Sequence, residues 1–220
     1  MCQKIYPPVI LNQNLLYFRH MGLFTKQPNA VEKTAIIFLD EFPAWAVKHS
    51  ISLISELKNS SEAWRDILNK GGETEAMLTD CLTGAHIMYL KLSMPQSLLT
   101  LLGGEKKIFK TISFWPKTAQ NFIQLSSKYL EKEHELRARG ERTFLDALND
   151  FYKNDSGKPA EPLSANFATV ATNFCAEQSK KFEGSPFLVA DLYKIFFSLD
   201  NEQINWISKY VLAKAKTQPV

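Results

Sequence analysis

Residues 166–182, NFATVATNFCAEQSKKF, 186–199, PFLVADLYKIFFSL, and 202–214, EQINWISKYVLAK, carry the reading that decides the fold. Each is amphipathic at helical spacing, and each is bounded by stop and start residues. Ser185 before Pro186 is a good N-cap and first-turn pair. Asp200 with Gln203 three residues later has the form of a capping box, so a new helix is expected to start there. Helix after helix implies an all-α chain.

The same periodicity extends toward the N-terminus. Ile36, Ile37, Phe38, Phe42 and Trp45 recur on one face, with Pro43 expected to kink or restart the helix. Ile51, Ile54 and Leu57 form a second segment, and Ser60 or Ser61 caps a short helix through Trp64, Ile67 and Leu68 that ends at Gly71-Gly72. In residues 73–92 a broad stripe of Met77, Leu78, Cys81, Leu82, Ala85, Met88 and Tyr89 contains Gly84, which allows a close neighbour. Residues 117–139 are polar, with a narrow seam of Phe122, Leu125, Tyr129 and Leu136, and Gly140 kinks or turns the chain into 141–152. No fixed-period repeat, sustained heptad or strand alternation is found.

These segments predict an all-α fold, an irregular multi-helix bundle or two helical subdomains. The expected organisation is an N-terminal arm (1–29) punctuated by Pro7, Pro8, Gly22 and Pro28, a main helical domain (30–153), a linker (154–164) marked by Gly157, Pro159 and Pro162, and a C-terminal three-helix segment (165–220).

Composition narrows the function classes. The chain of 220 residues is 45% hydrophobic and 12% aromatic, ample for a core. Its 26 Lys and Arg are interleaved with 23 Asp and Glu, so no basic stripe argues for nucleic acid, including along Lys117–Arg142. The longest apolar runs, such as residues 35–39, fall far below the roughly 20 needed to cross a bilayer. Residues 7–11 are too short for a signal-peptide core, so a cytoplasmic location is expected. Three dispersed cysteines, Cys2, Cys81 and Cys175, suit free thiols in a reducing compartment.

No motif specifies catalytic, cofactor-binding or metal-ligating residues. Cys81 and His86 lie five apart, a spacing that rotates them away from each other on a helix, and both read as packing. The four histidines, His20, His49, His86 and His134, never fall at i, i+4. Glu131-x-x-His134 has no second copy, as a di-iron bundle requires. Gly103-Gly104-Glu105-Lys106-Lys107 lacks phosphate-loop spacing and reads as a helix end. The residues 186–199 are apolar over more than half the helix circumference, as core or as docking surface.

The expected function is therefore a non-enzymatic protein–protein interaction protein: an adaptor, chaperone or structural subunit whose partner is another protein or a larger assembly. The alternative is a small-molecule or lipid-binding helical protein, including an enzyme whose site assembles only in the fold. Leu98, Leu99, Leu101 and Leu102, followed by Phe114 and Trp115 in a Phe-Trp-Pro break, are the candidate partner-binding residues. A strong chelator is expected to leave the melting temperature unchanged; a large loss by scanning calorimetry would reveal a metal that holds the fold together.

Overall fold

A computed structural model describes residues 30–69, 72–93, 115–143, 146–147, 149–150, 153, 161–178 and 186–217. Among them there is no strand, and the fold is all-α. The helices are α1 (Ala30–Ser60), α2 (Glu62–Asn69), α3 (Gly72–Ser93), α4 (Lys117–Ala138), α5 (Pro162–Gln178) and α6 (Pro186–Trp206). A π-helical turn, Ile207–Val211, joins α6 to a last short helix, α7 (Leu212–Thr217).

Helix α3 is the centre. Every residue from Cys81 to Leu90 is buried, which happens only to a helix surrounded on all sides. Around it lies the larger core: Leu53, Ile54 and Leu57 of α1, Trp64 of α2, Phe122 of α4, Phe167 of α5 and Phe196 of α6. The aromatic members interlock, with Phe122 stacked on Phe196 at 6.0 Å and Tyr89 edge-on to Phe167 at 5.2 Å. Burying each Phe of this group contributes about 1.5–3 kcal/mol.

Most polar groups carried into this interior are paired, because an unpaired one costs as much as a lost hydrogen bond; among the described residues Ser126 Oγ and Asn166 Oδ1 are buried without a partner. The Ser50 hydroxyl donates to Ala46 O at 2.7 Å, and Thr83 donates to Thr79 O at 2.8 Å. Trp64, fully buried, donates its indole N–H to Asp191 Oδ2 at 3.1 Å, tying α2 to α6. At the start of α5, Glu161 accepts from the N–H groups of Leu163 and Ser164, at 3.0 and 2.6 Å, and fills the N-cap role. The Ser164 hydroxyl links this carboxylate to the Tyr89 hydroxyl, 2.7 Å away.

Several boundaries differ from expectation for physical reasons. Pro43 does not restart the chain: α1 runs unbroken through it. An interior proline costs about 3 kcal/mol, and burial of Phe38, Phe42 and Ala46 on one side of α1 offsets this. Helix α5 begins at Pro162, so the last residues assigned to the linker form its first turn. The expected seam of α4 is rotated, since Ala119, Phe122 and Ser126 face inward while Leu125 and Tyr129 are exposed. Asp200 and Gln203 do not begin a helix; α6 passes straight through them. From the end of α6 through the π turn into α7 the buried positions Leu199, Gln203, Val211 and Ala215 are spaced at multiples of four. A 3.6-residue helix drifts off its neighbour at that spacing, and the wider π turn takes up the drift. Gly140 adopts φ +72° and ends α4 in a turn. The arm 1–29 lies outside the described residues.

At Gly84 α3 comes close to α4. A Cβ built there would stand 3.0 Å from both Ala119 O and Phe122 Cδ1. Gly84→Ala is expected to destabilise the fold by about 1–3 kcal/mol despite alanine's better helix propensity. Gly72→Ala, with nothing within 4 Å, should be neutral or stabilising. Urea denaturation of the two variants checks the contrast.

Candidate functional site

The polar group that stands out is a chain of side chains at the joint between α1, α3 and α6. His86 of α3 is fully buried. Its Nε2 lies 3.0 Å from His49 Nδ1 of α1, and its Nδ1 lies 3.1 Å from Gln203 Oε1 of α6. The remaining nitrogen of His49 meets the Glu202 carboxylate. The result is a linear relay, Glu202–His49–His86–Gln203, with its carboxylate end toward solvent and its amide end in the interior.

Aromatic rings enclose it. Trp45 stacks on His49 at 5.0 Å and 11° and lies edge-on to His86 at 4.9 Å. Trp206 also stacks on the Trp45 indole, at 4.6 Å and 15°, and Trp206 in turn stacks on Tyr210 at 6.0 Å. The stack continues into a smaller core of Ile37, Phe38, Phe42, Ala46, Ile87, Leu90, Val211 and Ala215. An ion pair from Lys214 to Glu41 fastens its rim.

Proton bookkeeping limits what the relay can hold. With both rings neutral, His49 donates from Nε2 to Glu202, His86 donates from Nε2 to His49, and the Gln203 amide must turn from the orientation the structure gives it so that its NH2 group donates to His86 Nδ1. One added proton fits the Gln203 amide as the structure orients it. Its oxygen then accepts from His86 Nδ1, His86 Nε2 is bare, and His49 donates from both nitrogens, its charge facing Glu202. A second added proton has no place, because it sets two N–H groups against each other across 3.0 Å. Burial, then the neighbouring His49, depress His86 to about 3, with the Gln203 hydrogen bond opposing them.

The structure does not join Cys81 to His86. Cys81 faces the larger core with Cys175, and both thiols are buried. Burial holds Cys81 well above its ordinary range and pushes Cys175 up to about 12, so neither offers a thiolate. His134 is exposed on α4. Among the described residues no group of three or more His, Cys, Asp or Glu side chains could hold a metal ion. Of the candidate partner-binding residues, Leu98, Leu99, Leu101, Leu102 and Phe114 lie outside the described residues. Trp115 is partly buried and packs on Phe42, its ring 6.4 Å away.

The pairing of His49 with His86 could not be read from spacing, since 37 residues separate them. One signal was present: Gln203 and His86 are polar positions on helix faces otherwise apolar. Compared with known protein families, with curated proteins and with solved structures, the chain matches none.

Gln203→Ala should leave His86 Nδ1 buried without a partner and cost about 1–3 kcal/mol. The measurement is the urea midpoint at neutral pH.

Proposed function

We propose that the chain is a non-enzymatic, cytosolic protein–protein interaction protein, an adaptor, chaperone or subunit of a larger assembly. The observation that carries this reading is the outer surface of α6. The inner side of that helix, Leu188, Leu192, Phe196 and Leu199, is buried, whereas Phe187, Phe197 and Ile204 are 76%, 50% and 51% exposed. Phe197 and Ile204 are two turns apart and share a face, with Phe187 roughly a quarter-turn away around the helix. Tyr210 and Leu212 add exposed apolar surface further along the same helical run. Large apolar side chains left exposed on a shared helix face, as Phe197 and Ile204 are, mark interaction sites.

The relay supports an enzymatic reading poorly. Trp45 covers the face of His49, His86 is enclosed, and both described thiols stay protonated. The cleft between α4 and α5, lined by Tyr129, Lys132, Glu133, Asn166 and Thr169, has a volume of about 150 Å³. Small-molecule sites span about 300–1,000 Å³, so this cleft is too small to favour a lipid ligand. Among the described residues no helix is long and apolar enough to cross a membrane.

A photo-crosslinking residue at Phe197 of the full chain, expressed in its native cell, should give a discrete adduct of higher mass. The same group at Glu131, exposed on α4, should give none. The double substitution Phe197→Asp, Ile204→Asp should leave the melting temperature nearly unchanged and prevent co-purification of the crosslinked partner with the chain. Equal adducts at both positions, or none at Phe197, would overturn the proposal.

A further inference from the structure

The His49–His86 contact sits between the two cores. The larger one gathers around α3, and the smaller joins the first half of α1, the π turn and α7 to Ile87 and Leu90 of α3. Polar links between these halves at the joint run through the relay: Glu202 and Gln203 come from α6, His49 from α1 and His86 from α3. The relay accepts one added proton and has no arrangement for two. We propose that this relay is a proton-operated latch, in which a second proton on the histidine pair breaks the 3.0 Å His49–His86 contact and opens the smaller aromatic core while the larger core stays folded.

The groups facing the pair fix the sign. Glu202 of α6 is the carboxylate at His49, each ring faces the other, and Gln203 brings no charge to His86. From α4 and the residues before it the smaller core receives Ile123 and Trp115, both uncharged. At its far rim lie Asp40 and the Glu41–Lys214 pair, and Asp40 is raised by burial and by Glu41. The closed state admits the His86 proton only near pH 3, whereas an imidazole freed to water takes it near 6.5. Acid therefore favours the open state. The opening constant should rise about tenfold for each unit that pH falls below about 6.5. Because the lost group is a neutral, depressed histidine, stability is full above that value and declines below it.

Tryptophan emission reads the two cores separately. Trp45, Trp115 and Trp206 belong to the smaller one, and Trp64 is fully buried in the larger. On titrating the full chain from pH 7.5 to 4.5, emission should shift to the red with the steepness of a single proton while far-UV helicity is largely retained. His86→Gln should abolish the shift, because no second proton is then needed. Gln203→Glu, which gives His86 its own carboxylate, should move it to lower pH and keeps the test decisive if His86→Gln does not fold. Glu41→Gln, which removes the rim carboxylate, should leave the midpoint in place. Loss of helicity together with the red shift, no shift in the wild type, or an unchanged midpoint in Gln203→Glu would overturn the latch.

Discussion

A helix buried on every side is the constraint from which the rest of this structure follows. Between Cys81 and Leu90 no side of α3 faces water, so each of its side chains must find a neighbour of matching chemistry. The apolar ones select α1, α4, α5 and α6 as the surrounding shell. The polar ones impose more exact demands: Thr83 requires the carbonyl of Thr79, Tyr89 requires Ser164 and Phe196 O, and His86 requires partners at both nitrogens. Such pairs add little net stability, yet they penalise any alternative packing that leaves a member unpaired.

The histidine relay is the clearest case. It positions α1 along its length, because His49 must meet His86 and Glu202 together. It also explains why α6 does not end at Asp200. Gln203 would have to turn back to cap a new helix, and instead it reaches inward to His86. The helix therefore continues, and a π turn just beyond Trp206 keeps Val211 and Ala215 against α1. A local capping preference of about 1 kcal/mol is smaller than the cost of orphaning a buried imidazole together with the packing around it.

The two faces of α6 divide its roles. Its inward row completes the larger core, and its outward row leaves large apolar side chains in water. A sequence apolar over most of its circumference serves both purposes, which is why residues 186–199 read as core or as docking surface. Position around the helix separates them: Phe196 is fully buried while its neighbour Phe197 is half-exposed.

The sequence by itself determined the helical class, the start of α6 at Pro186, the inward stripe of α3 and the close contact at Gly84, because each depends on local periodicity, capping or the absence of a Cβ. Only the tertiary structure decided the continuity of α1 through Pro43, the passage of α6 through Asp200, the inward face of α4 and the pairing of His49 with His86. Those outcomes turn on burial energies and hydrogen bonds between residues far apart in the chain, which outweigh the small local preferences that spacing and caps report.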